Sequence, residues 1–165
     1  MKITFILPAI GKKPGKKYIG TWKMEPLTIA VLKALTPSRF ETEFFDDRIE
    51  LIDYDTETDV VAITLETYTA LRGYDIAARF KARGKKVIFG GYHATLCPEE
   101  AMGRGDCVIT GNAETVWERA LVDCENGALR PRYDGKAGYT PIHPDRGIYA
   151  DKIYLPVTSA HRLYF

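Results

Sequence analysis

The chain has 165 residues, 45% of them hydrophobic and 27% charged, with a formal net charge of +1. That length holds one compact domain with a real core and excludes two ordinary ones. The near-neutral balance excludes a general electrostatic pull toward nucleic acid or an anionic membrane, so neither is expected as a partner.

The first predicted element is "KITFILP", a continuous apolar run closed by Pro8, which predicts a buried central strand. The opening imitates a signal peptide only faintly. Its apolar run is short, is broken at Pro8, and leads into lysines instead of a small-residue cleavage site. No run approaches transmembrane length. After a loop rich in glycine and lysine, "PLTIAVLKALT" sets Pro26 at a helix start with Leu27, Val31, Ala34 and Leu35 on a helical period. "ETEFFDD" predicts a second, short strand and "DVVAITL" a third. In the following segment Leu71, Ile76, Ala77 and Phe80 are helix-spaced, with Gly84 as the closing cap. "KKVIFGG" predicts the fourth strand, "PEEAMGR" a short helix, and "DCVITG" the fifth strand. "AETVWERALVDCE" predicts a last helix with an acidic residue in its first turn.

Strands that are apolar throughout, alternating with helices, predict a parallel sheet covered on both faces. Five such strands joined by right-handed crossovers predict a flavodoxin-like (Rossmann-like) doubly wound α/β fold of three layers, with strand order 2-1-3-4-5. Residues 1–128 are assigned to this domain. Residues 129–165 are rich in Pro, Gly and Tyr and lack a sustained period. They are expected to form an extended tail that wraps the domain, or a linker toward a further one.

Cys97, Cys107 and Cys124 are an odd number of unpaired thiols, which fits a reducing cytoplasm. Their spacing suits neither a zinc nor an iron–sulfur site, and His93, His143 and His161 are scattered. No metal ligand and no catalytic residue is therefore assigned.

In an open parallel sheet, ligands bind beyond the carboxyl ends of the strands. Those ends read "PAIGKKPGKKYIG", "TLETYTA", "GGYHAT" and "TGNAET": glycines, small hydroxyl residues, an amide and little bulk. They predict a broad floor that accepts a large ligand through backbone groups and hydroxyls. A phosphoryl-accepting receiver would need acidic residues after the first strand, where Pro8, Ala9 and Ile10 stand. "GKKPGKK" has one residue too few for a P-loop and Lys17 in place of the hydroxyl.

The run "DVVAITLETYTALRGYDIAARFKARGKKVIFGGYHATLCPEEAM" followed by "DCVITGNAET" resembles the N-terminal cobalamin-binding domain of B12-dependent radical SAM proteins, over roughly Lys2 to Cys124. The resemblance rests on Gly90-Gly91-x-His93-x-Thr95 with Pro98-Glu99-Glu100, then Thr110-Gly111 and Glu114. It implies a cobalamin-binding module, of an enzyme of the methyltransferase or cyclase type, in which the nucleotide tail of the cofactor lies against the sheet edge. A side chain at either Gly90 or Gly91 would then collide with the tail. The implied contacts are Pro8, Ala9 and Ile10; Thr64, Leu65, Glu66, Thr67 and Thr69; Gly90, Gly91, Tyr92, His93 and Thr95; and Gly111, Asn112, Ala113 and Glu114. His93 is read as a contact to the tail or its phosphate, as a residue that orders its loop by a hydrogen bond, or as a ligand to cobalt. Tyr18 and Trp22 either cap a corrin face or anchor their loop.

Two departures shape the expectation. The D-x-H-x-x-G motif that ligates cobalt from below in mutases is missing after the first strand, which implies binding with the cofactor's own base displaced. The C-x-x-x-C-x-x-C motif is also missing. In the family it follows a stretch like "IYLPVTSAHR", so the chain is expected to be truncated before a radical SAM catalytic domain, with S-adenosylmethionine and a 4Fe–4S cluster belonging to that part. The alternatives are a flavin- or nucleotide-binding domain of the same fold, or an interaction domain without a ligand.

Overall fold

The computed structural model describes residues 1–10, 23–138 and 141–154. The basic loop 11–22, with Tyr18 and Trp22, lies outside them. One sheet organises the chain. Its strands are β1 (Lys2–Leu7), β2 (Glu41–Asp46), β3 (Val60–Thr64), β4 (Lys86–Gly90), β5 (Cys107–Thr110) and β6 (Arg132–Asp134). They run in the order β2-β1-β3-β4-β5-β6, every neighbouring pair parallel. The helices are α1 (Leu27–Leu35), α2 (Ala70–Lys81), α3 (Tyr92–Leu96), α4 (Pro98–Met102) and α5 (Trp117–Glu125). No helix among the described residues is long and apolar enough to cross a membrane.

The doubly wound α/β expectation holds, with one strand more than the expected five. Residues 132–134, read from the sequence as part of the tail, pair with β5 through Ile109 and Tyr133. Three residues with a single apolar member carry no strand signal of their own; β5 supplies the template. The connection through α5 also has the opposite hand to that through α2. Both move outward in the same direction across the sheet, but they cross opposite faces. Right-handed connections dominate in such sheets, so nothing in the pattern pointed to this strand.

Strand residues alternate between two cores. Ile3, Phe5, Ala62, Ile88 and Ile109 face α1 and α5, whereas Ile6, Ile63, Phe89 and Val108 face α2 and α4. The predicted stripe on α1 is turned outward: its buried residues are Ile29, Ala30 and Leu32, while Leu27 is 57% exposed. On α2, Ile76, Ala77 and Phe80 are buried as expected, but Leu71 is exposed and Tyr74 takes its place in the core.

Two buried carboxylates fix the edge where the strand order turns. Asp47, just beyond β2, accepts from the Ala9 amide at 3.1 Å and from Arg72 of α2 through two bonds of 2.9 Å. Asp46 accepts from Arg48 and, at 2.9 Å, from the Tyr154 hydroxyl. The end of β1, the end of β2, α2 and the outgoing chain are thereby tied together.

Candidate functional site: a groove at the carboxyl edge of the sheet

The strand order reverses between β1 and β3, so the carboxyl edge of the neighbouring strands is where a crevice is expected. A narrow cleft of about 40 Å3 lies there. Its floor is Ala62, Thr64, Ile88, Gly90 and Ile109, and its sides are Thr28 and Leu32 of α1 against Ala113 and Trp117. The cleft shares Thr28, Leu32 and Ala113 with a cavity of about 270 Å3 further out, closed by Leu27, Val31, Glu114, Pro141, Ile142 and Pro144. The outward apolar face of α1 is therefore one wall of this groove.

The two consecutive glycines do different work. Gly90 ends β4 with its side-chain position turned into the groove, where an added Cβ would meet nothing nearer than the Ile109 carbonyl oxygen at 4.0 Å. Gly91 has φ +96°, and a Cβ there would stand 2.6 Å from the Leu65 carbonyl oxygen. That carbonyl accepts from the His93 amide at 3.0 Å, while the Leu65 amide donates to the Gly90 carbonyl at 2.7 Å. Gly91 is thus required by the chain's own tight turn from β4 into α3. A side chain at Gly91 would therefore meet the Leu65 backbone whether or not a ligand is bound.

The neighbouring strand ends are tied down locally. The Thr95 hydroxyl donates to the Gly91 carbonyl at 3.0 Å and accepts from the Gly111 amide at 3.1 Å, joining the ends of β4 and β5. After β3, the Thr69 hydroxyl accepts from the Glu66 amide at 3.0 Å. Burial there pushes the Glu66 carboxyl above its usual range. Trp117 is buried, donates to the Thr36 hydroxyl at 3.0 Å, and lies against Phe5 with ring centroids 5.8 Å apart. It borders the cleft without plugging it.

Of the residues expected to contact a ligand, the structure gathers Thr64, Gly90, Gly91, Ala113 and Glu114 on the groove. Pro8 and Ala9 are buried at the end of β1, with Ile10 beside them, and Asn112 and Gly111 flank the groove on the β5 side. Leu65 and Thr69 are buried toward α2, and Thr67 and Tyr92 are exposed. His93 is 6% exposed and lies on the α2 side of the sheet, its Nε2 3.1 Å from the Tyr74 hydroxyl oxygen. Thr28, Leu32, Val31 and the prolines of 141–144 escaped the sequence reading. The signal for the helix residues was present, since α1 is apolar on more than one face.

Chemically this is a binding surface. It offers flat apolar walls, two threonine hydroxyls and main-chain groups, and Glu114 is the one ionisable residue among its described lining residues. The slot suits a planar, largely apolar group with a polar appendage at its mouth.

Fold and groove together define an open doubly wound α/β domain with a ligand crevice at its carboxyl edge. Relatives narrow this further. The chain is 40% identical to the bacteriochlorophyllide d C-8(2)-methyltransferase of Chlorobaculum tepidum over 111 residues, which are 67% of this chain and 25% of that protein. It is 37% identical to the bacteriochlorophyllide d C-12(1)-methyltransferase of the same organism over 110 residues, 66% of this chain and 24% of that protein. The chain thus matches about a quarter of the length of these methyltransferases. No family model matches it. The solved N-terminal domain of a hypothetical protein from Thermotoga maritima is 20% identical with a TM-score of 0.45, covering 72% of this chain and 100% of that one.

Proposed function

We infer that the chain is a cobalamin-binding module of a B12-dependent radical SAM methyltransferase. The observation that carries this reading is Gly90. The groove is open at that point because the residue has no side chain, and the narrow cleft above it leads between Thr28, Leu32 and Ala113 into the larger cavity of about 270 Å3. The nucleotide tail of cobalamin ends in a flat ring, a planar benzimidazole on a ribose phosphate. Kinship with two methyltransferases over two thirds of the chain supports the same reading.

In this assignment Ala62, Thr64, Ile88 and Gly90 floor the tail site, and Thr28, Leu32, Ala113 and Trp117 wall it. The Thr28 and Thr64 hydroxyls are the polar side chains available to the tail. Cobalamin, when bound, supplies a cobalt centre suited to carrying a methyl group. The residues at the end of β1, Pro8, Ala9 and Ile10, offer cobalt no imidazole, and the His93 ring lies on the opposite face of the sheet beside Tyr74. In this reading the groove would hold the cofactor's displaced base, with Thr28, Thr64 and the Gly90 main chain as its nearest polar groups. S-adenosylmethionine and the 4Fe–4S cluster belong to a catalytic domain elsewhere in the longer protein, which is this module's partner.

The test is to incubate the purified protein with hydroxocobalamin, desalt it and record the visible spectrum. Retained cobalamin with a base-off spectrum is expected. Retained yellow flavin from the expression host would favour the flavin-binding alternative. A colourless protein at every cobalamin concentration tried would contradict the assignment.

A further inference from the structure

On the face of the sheet away from the groove, the sequence spacing H-x-x-x-C-x-x-E brings three donor residues together. A ring nitrogen of His93, the Cys97 Sγ and a Glu100 carboxylate oxygen all lie within 4.8 Å of one another. The Cys97 amide donates to the His93 carbonyl at 2.8 Å, so α3 sets these two residues one helical turn apart; Glu100 then follows from α4. Nε2 of His93 is already 3.6 Å from Glu100 Oε1. Metal–ligand bonds of about 2.0–2.3 Å place tetrahedral ligand atoms roughly 3.5 Å apart, so a side-chain adjustment of about 1 Å closes the set. The Glu100 side chain is 52% exposed and can make it by giving up its contact with the Tyr74 hydroxyl.

An independent observation concerns His93 itself. The residue is 6% exposed, yet its Nδ1 is buried and has no hydrogen-bond partner among the described residues. A buried polar atom left unpaired commonly marks a missing water or ion. Cys97 is partly exposed, which leaves the cluster open to solvent.

We propose that His93, Cys97 and Glu100 form a binding site for a borderline divalent cation, of which Zn2+ fits the donor set best. One imidazole, one thiolate and one carboxylate match zinc and disfavour Mg2+ or Ca2+, which take oxygen ligands. Binding replaces the Cys97 thiol proton with the metal, which balances the two anionic ligands against the ion. Because the site lies under α2, on the other face of the sheet from Gly90, it is independent of any ligand in the groove.

The test uses the whole chain free of cobalamin, titrated with Co2+ as a spectroscopic probe and then with Zn2+ in competition with a chromophoric chelator. The expected result is one ion per chain, with a thiolate-to-cobalt charge-transfer band that Cys97→Ser abolishes. Glu100→Gln should weaken Zn2+ binding at least tenfold. Both variants replace partly or largely exposed side chains, so their melting curves should overlay the wild type in the absence of metal. His93→Gln should also abolish the band, but it alters the core and is read only if it stays folded. Absence of the band, or equal Zn2+ affinity in wild type, Cys97→Ser and Glu100→Gln, would overturn the proposal.

Discussion

Arg72 grips Asp47 with two hydrogen bonds of 2.9 Å, and the Asp47 side chain is 1% exposed. The carboxylate also receives the Ala9 amide, so one buried charge holds the end of β1 to α2. The pairing with Asp47 raises the pKa of the Arg72 guanidinium above its ordinary value, and the desolvation of its partly buried side chain opposes that rise. Removing one partner leaves the other charge buried without compensation.

The first prediction follows from that pair. Arg72→Met should lower the free energy of unfolding by about 3 kcal/mol, toward the lower end for breaking a buried pair because Arg72 keeps some contact with water. Urea denaturation measures it. The double variant Arg72→Met with Asp47→Asn should recover part of the loss, since no uncompensated charge then remains.

The second prediction separates the adjacent glycines by stability alone. Gly91→Ala forces a side chain into positive φ and against the Leu65 backbone, and should destabilise by more than about 1 kcal/mol. Gly90→Ala adds a methyl group in open space and should change stability by less than about 0.5 kcal/mol. Thermal melting of the two variants side by side reads the difference.

Much of the fold was legible because β3, "VVAIT", is buried at every position and an uninterrupted apolar run has few other uses. The same reasoning failed at α1. Apolar residues occur on both sides of that helix, so periodicity could not say which side meets the sheet and which lines the groove. It failed again at β6, where pairing is supplied by a distant neighbour. The strand ends of the site were readable from topology. The walls were not, because Thr28, Leu32 and Pro141–Pro144 reach the groove only through tertiary packing. The His93–Cys97–Glu100 cluster was not legible in the sequence because its three residues come from two short helices whose relative placement is set by the turn at Cys97 and Pro98.

The third prediction concerns alkaline pH. Burial, followed by the nearby Cys124 and Asp106, pushes the Cys107 thiol from its ordinary 9.0 to about 12. The unfolded chain therefore loses this proton first. Stability is unaffected below about pH 9 and falls as pH rises from there toward 12, by at most about 1.4 kcal/mol per pH unit for this group. Tyr74 and Tyr133, both raised from 10.0 to about 12 chiefly by burial, steepen the fall above pH 10. Urea midpoints between about pH 8 and 11 should decline, and Cys107→Ala should show a shallower decline from a lower starting point. Parallel curves would show that the thiol contributes nothing.

The groove assignment is tested most directly by calorimetric titration of hydroxocobalamin into the wild-type protein and into Gly90→Leu, with melting curves of both. Leucine at that position should fill the cleft, with its Cβ no nearer the backbone than 4.0 Å from the Ile109 carbonyl oxygen. The wild type should bind, and the variant should bind at least tenfold more weakly, a loss of about 1.4 kcal/mol, with its melting temperature preserved. Equal affinities in the two proteins, or no binding by the wild type at millimolar cobalamin, would contradict it.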